Sequence, residues 1–228
     1  MRDFDEKAKK LQDLIFYRRY VDDMIFVFTP STPKSLSSYG MKIDKMIQGF
    51  GLNKNEDKTK PHGWKSITDK NVSYRFDFLG YNFSFENEEL SIGLTENRYD
   101  RVVKRIDVAI EEYLKLKNKE DFSAIKLLYG RLNLLTGNTR LFNRKKSVLI
   151  GIYFSNPYLT RLEQLTCLDL KLKERLATLD LSDAQRKRFN KLSFFQGFKE
   201  KKYIPFKNHE DFKYISSCWK HDRNLAIK

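Results

Sequence analysis

Two adjacent carboxylates, Asp22 and Asp23, stand between two runs of aromatic and β-branched residues, Ile15-Phe16-Tyr17-Arg18-Arg19-Tyr20 and Met24-Ile25-Phe26-Val27-Phe28. Such flanks read as strands, and the acidic pair between them as a tight turn. Side by side the two charges repel, and each raises the cost of ionising the other unless a cation is shared. A turn that carries them beyond the end of a sheet suits a divalent metal. Mg²⁺ takes one or two carboxylates and completes its shell with water and phosphate oxygens. Two such ions clamp the attacking and leaving oxygens of a phosphoryl transfer. The same residues also suit an ordinary acidic hairpin turn, because Asp favours turns in any case. Other chemistry is poorly supplied. Three histidines and two cysteines, Cys167 and Cys218, lie at no metal-ligand spacing, which argues against a structural zinc site and a disulfide framework.

The elements that must position the pair follow from periodicity. Residues 3–14 are charged and read as helix. After the second strand, Thr29-Pro30-Ser31-Thr32-Pro33 breaks the chain and starts another helix. On it Leu36, Tyr39, Ile43, Met46, Ile47 and Phe50 form one apolar face, closed by Gly49 and Gly51. Residues 52–60 are a polar connection into a short strand. Phe76 to Phe85 alternates as a strand, and Glu86-Asn87-Glu88-Glu89 turns it back into Leu90-Ser91-Ile92. Past Thr95 the period becomes helical. One helix rests on Val102, Val103, Ile106, Ile110, Tyr113 and Leu114, and a second on Ile125, Leu127, Leu128, Leu132 and Leu135, stopped near Gly137. A long third runs from Tyr158 to about Leu179, a fourth is capped by Ser182-Asp183, and a fifth covers 209–220. The expected class is α+β: an α+β domain over residues 1–96 and an all-α domain over 97–228.

Charge divides the chain in the same way. Residues 1–97 hold 15 basic and 15 acidic side chains, whereas residues 98–228 hold 29 and 15, so the net charge of +14 lies wholly in the second part. An excess so confined suggests a surface for a polyanion, nucleic acid first; a solvated basic helical face is the plain alternative. Aromatic residues interleave with the cations there, among them Tyr153, Phe154, Phe194, Phe195, Phe198, Tyr203 and Phe206, as core or as stacking platforms. No apolar run approaches the roughly 20 residues of a membrane span. The start, MRDFDEKAKK, is too charged for a signal peptide, so a cytoplasmic protein without a membrane partner is expected.

Tyr20-Val21-Asp22-Asp23 between apolar strands resembles the metal-binding palm hairpin of reverse transcriptases. Gly51-Leu52-Asn53-Lys54-Asn55-Glu56-Asp57-Lys58-Thr59 resembles that family's next motif, and Phe78-Leu79-Gly80-Tyr81 the hairpin that grips the primer strand. The three occur in family order and at family spacing, with a basic helical part where a thumb belongs. Arg131-Leu132-Asn133-Leu134-Leu135-Thr136-Gly137-Asn138, Gly151-Ile152-Tyr153-Phe154-Ser155-Asn156 and Phe194-Phe195-Gln196-Gly197-Phe198 are similar to segments of bacterial defence-type reverse transcriptases. Those are the abortive-infection enzymes and their unclassified relatives, with retron and group II intron enzymes as cousins.

The resemblance implies a partial polymerase palm, an antiparallel sheet with a helix, followed by an all-α thumb. It implies an RNA-directed DNA polymerase: Mg²⁺-dependent addition of deoxynucleoside triphosphates to a 3′-hydroxyl, RNA-templated or template-independent, in antiphage defence. Asp22 and Asp23 would be the metal ligands, Asp22 the direct one, with Tyr20 and Val21 at the nucleotide. Lys58 would lie near the triphosphate, where a lysine neutralises developing charge or protonates the leaving pyrophosphate. Phe78, Leu79, Gly80 and Tyr81 would hold the primer. Arg131, Arg140, Arg144, Lys145 and Lys146 would contact nucleic-acid phosphates, solvated helix charge being the plain reading of each. Asn133 and Asn138, polar among leucines, would be a helix-end cap or a backbone contact.

The chain departs from the family in one respect. A palm of this kind also needs an aspartate from an earlier strand, the fingers and a nucleotide-checking segment. In family order these precede the Tyr-x-Asp-Asp hairpin, and here 19 residues precede it. Two expectations follow. One is the C-terminal part of a reverse transcriptase that takes its third carboxylate from an N-terminal half or partner chain. The other is a catalytically silent piece that binds nucleic acid or a partner. Apolar surface left open by the missing half would favour a partner chain or a homo-oligomer.

Overall fold

Alternation along the first strand buries Tyr17 and leaves Phe16, Arg18 and Tyr20 exposed, as a ribbon with one covered face requires. The computed structural model describes residues 1–29, 36–63, 74–86, 89–117, 124–142, 147–206 and 209–219. The chain divides into two units, Met1–Val72 and Ser73–Lys228.

The first unit contains α1 (Arg2–Ala8), β1 (Leu14–Tyr20), β2 (Asp23–Phe28) and α2 (Leu36–Gly49). β1 and β2 pair antiparallel, Tyr17 opposite Phe26 and Tyr20 opposite Asp23, with a bulge between Leu14 and Phe16. A two-stranded ribbon is marginal in water by itself. Here Phe4 and Ala8 of α1 and Met46 and Ile47 of α2 gather around Tyr17, with Leu14, Met24, Phe26 and Ile43 partly buried against them. Each such side chain contributes about 1.5–3 kcal/mol on full burial. The helix expected over 3–14 is shorter: it ends at Ala8, and Asp13 at φ 65 redirects the chain into β1. Asp13 also accepts the Thr29 amide through its carbonyl at 2.9 Å, which ties the two ends of the ribbon. Residues 52–63 hold no strand; the rest of the expected short strand lies outside the described residues.

The second unit opens with an antiparallel meander, β3 (Tyr74–Phe78), β4 (Tyr81–Glu86) and β5 (Glu89–Leu94). It continues through α3 (Glu96–Lys117), α4 (Ala124–Thr136), the hairpin β6 (Asn138–Phe142) and β7 (Ser147–Gly151), α5 (Glu163–Ala177), α6 (Asp183–Phe189), α7 (Phe194–Lys199) and α8 (His209–Ser216). Ile106 of α3, Leu128 and Leu132 of α4, Leu165 and Leu168 of α5, Phe189 and Phe194 form its core. Ser182 caps α6 in a reciprocal box with Gln185, as Ser-Asp at that point led one to expect.

Two expectations are corrected. The alternating run 76–85 is two strands, because Leu79 (φ 52) and Gly80 (φ 80) form a two-residue hairpin loop with both central residues left-handed. The part beyond residue 96 is not all-helical: β6 and β7 pair within it, the short run Ser147-Val148-Leu149-Ile150 being ambiguous between helix and strand by pattern. The two compact units divide at 72/73, so residue 96, where the helical part was expected to begin, lies within the second unit. The meander is fastened to α5: the Ile92 amide donates to Thr160 Oγ1 at 2.8 Å, and Gln164 pairs with both backbone groups of Leu94 at 2.7 and 3.2 Å. The structure is thus mixed α+β with three small antiparallel sheets among the described residues. No described helix is long and apolar enough to cross a membrane.

Candidate active-site turn

Tyr20 pairs with Asp23, so Val21 and Asp22 alone make the loop between β1 and β2. Two-residue loops need φ above zero at the first central position, and Gly, Asn or Asp normally supply it. Here Val21 takes that position at φ 55. A β-branched residue in the left-handed region costs on the order of 1–3 kcal/mol and persists where neighbours impose it. Tyr20 and Val21 are 64% and 65% exposed, so packing does not explain either. Asp22 and Asp23 are exposed beside them. The hairpin therefore brings together four expected site residues, Tyr20, Val21, Asp22 and Asp23, at one ribbon tip.

A tether from α1 imposes the turn. Arg19 donates through Nη1 to the Val21 carbonyl at 2.9 Å, and through Nε and Nη2 to the Asp5 carboxylate at 2.8 and 2.6 Å. The Tyr17 hydroxyl donates to the same carboxylate at 2.6 Å. Hydrogen bonds from Arg19, then from Tyr17, hold the Asp5 carboxyl well below its ordinary value of 3.8. Burial, then the bond to Asp5, pushes the Tyr17 phenol above its usual range. Periodicity could not find this network, because Asp5 lies in a charged helix where a solvated side chain is the default.

Two predictions follow. Val21→Asn relieves the backbone strain, since Asn tolerates the left-handed region; the first unit should gain about 1 kcal/mol, read from its urea midpoint. A carboxylate whose folded pKa is depressed stabilises above the unfolded value and loses that contribution as pH falls through the folded one. The first unit should therefore weaken steadily below pH 3.8, and Asp5→Asn should flatten that acid limb in urea melts taken down to about pH 2.

Lys58 lies on a turn closed by Asn55, whose side chain accepts the Lys58 amide at 3.1 Å and whose carbonyl accepts the Thr59 hydroxyl at 2.7 Å. Its ammonium is exposed and has no side-chain partner among the described residues. Lys54 is different: it pairs with Asp44 at 2.8 Å and Glu56 at 3.2 Å. Of the two, Lys58 alone is left to meet a ligand.

In the second unit, Phe78 pairs with Tyr81 across the Leu79-Gly80 loop, and Leu79 is 41% exposed. Sequence reasoning missed what surrounds this loop. Arg98 lies over the Tyr81 ring at 5.5 Å, close enough that a Cβ on Gly80 would sit 3.0 Å from its Nη1, and donates to the Ser155 carbonyl at 3.2 Å. Tyr158, 68% exposed, meets Tyr81 edge-on at 6.0 Å, and Arg161 donates to Asn82. The one available signal was that the basic excess begins at Arg98.

The expected phosphate contacts divide. Arg140 is exposed on β6 opposite Leu149. Arg144, Lys145 and Lys146 lie outside the described residues. Arg131 is 4% exposed, turned into the helical core beneath α8, and does not lie on the open surface. Several aromatic residues are taken up by cations of the same chain, Lys199 over Phe195 at 4.8 Å and Lys201 over Tyr153 at 4.5 Å. Asn133 accepts the Lys202 ammonium at 3.1 Å, and Asn138, fully buried, joins three segments by its side chain. No group of three or more His, Cys, Asp or Glu able to hold a metal occurs among the described residues. Comparison with protein-family models, with curated proteins and with solved structures finds no match for this chain.

Proposed function

We infer that this chain is the palm-and-thumb part of a reverse transcriptase, of the defence type that its second-unit motifs resemble. The observation that carries the reading is the ribbon tip: two neighbouring, exposed carboxylates on a strained turn tethered by Arg19. Strain kept at such a position marks sites where geometry matters more than stability. The basic excess of residues 98–228 supports a nucleic-acid partner.

The reaction is in-line attack of a 3′-hydroxyl on the α-phosphate of a deoxynucleoside triphosphate, with pyrophosphate leaving. Asp22 and Asp23 would hold one Mg²⁺, which needs no more protein ligands than that pair, and a bound ion would supply neutralisation of charge on the phosphoryl oxygens. A two-metal site needs a further carboxylate. With no group of three ligands among the described residues, it would come from another polypeptide segment or a partner chain. Tyr20 and Val21 border the nucleotide, Lys58 offers its free ammonium to the triphosphate, the Phe78–Tyr81 loop holds the primer, and Arg140 meets phosphates.

The basic excess of residues 98–228 equally supports a second reading, a silent nucleic-acid-binding or partner-binding piece. Incorporation of labelled deoxynucleotide by the chain together with the complementing segment separates them. Activity lost in Asp22→Ala/Asp23→Ala supports catalysis; equal incorporation by both proteins ends it. Should neither incorporate while both bind a single strand with a salt slope near −0.7 per phosphate contacted, the silent reading holds.

A further inference from the structure

Arg131 is a buried cation poorly matched by its surroundings. Its Nε donates to the Ile215 carbonyl at a long 3.4 Å, and its Nη1 is buried with no acceptor. Glu112 of α3, the acid that feels its charge, is already paired with Lys115 at 2.9 Å. A buried guanidinium with one long hydrogen bond and one nitrogen lacking an acceptor is incompletely compensated for its desolvation.

What faces the guanidinium is the end of α8. Ile215 is the penultimate residue of that helix, where the carbonyls carry roughly half a negative charge, and its carbonyl also accepts the Cys218 thiol at 4.0 Å. The cover is light. None of the α8 side chains is fully buried; Ile215 lies against Gly130, where an added Cβ would meet Cδ1 at 3.1 Å, Phe212 meets Phe206 edge-on at 5.5 Å, and Cys218 and Trp219 beyond the helix pack on the core. Trp219 is 7% exposed and donates through Nε1 to the Arg105 carbonyl at 3.0 Å. A partial charge at 3.4 Å is a weak ligand for a planar fork that matches phosphate oxygens two at a time.

We propose that Arg131 is a concealed phosphate-binding site, covered by the C-terminal end of α8 and opened when a phosphate group competes for the guanidinium. The group can belong to a nucleic-acid backbone or to a free phosphate; the chemistry is shared. The site needs neither Asp22 nor Asp23, so it goes beyond the polymerase reading.

The chain has two tryptophans, so Trp64→Phe leaves Trp219 as sole emitter in the full-length protein. One arm titrates inorganic phosphate against chloride at equal ionic strength, the other a single-stranded oligothymidylate. Trp219 emission should shift to the red and its quenching by acrylamide should rise about twofold, as an indole passes from packed to open surroundings. A response to phosphate alone identifies the free anion as ligand, and a response to the strand alone the backbone; both uphold the site. Arg131→Met should abolish the response while melting no lower than the parent, since exchanging a buried charge for an apolar side chain is neutral or stabilising. Ile215→Ala loosens the cover without touching the guanidinium and should lower the half-effect concentration about fivefold. No response in either arm, an undiminished response in Arg131→Met, or no change with Ile215→Ala would overturn the proposal. Nucleotide incorporation plays no part in these readouts, so the polymerase reading fails or stands separately.

Discussion

On the proposed reading, replacing Asp22 by alanine should reduce nucleotide incorporation by the chain with its complementing segment by at least about a thousandfold, with little change in the thermal melt. A metal ion contributes several kcal/mol by stabilising charge on the transferring phosphoryl group, and each 1.36 kcal/mol is about tenfold in rate. Asp23→Ala should fall in the same direction but less far, because Asp23 opens β2 opposite Tyr20 whereas Asp22 occupies the loop itself. Both side chains are exposed, and losing one relieves like-charge repulsion, so stability should hold or rise slightly. Single-turnover incorporation, set beside the melting curve of each variant, checks this. A rate loss that follows a loss of fold would place the pair in the architecture and not in the chemistry.

Asn138→Ala should destabilise the second unit by at least about 3 kcal/mol, because it strands several buried partners at once. The Asn138 side chain donates to the carbonyls of Gly197 and Lys202, both at 3.1 Å, and accepts the amides of Tyr153 and Phe154 at 2.8 and 3.3 Å. Its backbone pairs with Lys202 at 2.8 Å and Ile204 at 2.7 Å. Glycines allow this meeting: a Cβ on Gly197 would enter the Thr136 carbonyl, and one on Gly151 the Gly137 carbonyl. The melting temperature should drop by about 6–12 °C for a unit of this size. Asn138→Asp, which still accepts but cannot donate, should lie between the variant and the parent. A melt within 2 °C of the parent for Asn138→Ala would contradict this account, since about that much shift corresponds to less than 1 kcal/mol.

That meeting point explains why some features were legible and others not. The three second-unit motifs that carry the resemblance to defence-type enzymes contribute Thr136 to Asn138, Gly151 to Phe154, and Gly197 to one place. Their residue types follow from close approach of backbone, with side-chain hydrogen-bond partners up to 64 residues apart, which no local pattern can reveal. Local rules did better. The Ser182 cap, the apolar face of α2 and the ribbon around Asp22-Asp23 each depend on neighbours within a few positions. The Leu79-Gly80 turn escaped the strand reading because aromatic alternation continues on both sides of it; its signature is a pair of left-handed residues. Arg131 was expected on the surface from its charge, yet it lies at helical spacing between Leu127, Leu128 and Leu132 on the buried face of α4. Position on that face, not residue type, decides its burial. The Asp5–Arg19 fork, which holds the turn, went unseen because its members are 14 positions apart and each is ordinary by itself.

The most direct test is a manganese titration of the ¹⁵N-labelled full-length chain, with Mn²⁺ standing in for Mg²⁺ as a paramagnetic probe. Capture at the ribbon tip should broaden the amide signals of Val21, Asp22, Asp23 and Met24 first, and Asp22→Asn/Asp23→Asn should remove that selectivity while leaving the remaining spectrum intact. Broadening spread evenly over acidic surface residues, or unchanged at the tip in the double variant, would contradict a metal-binding role for the pair.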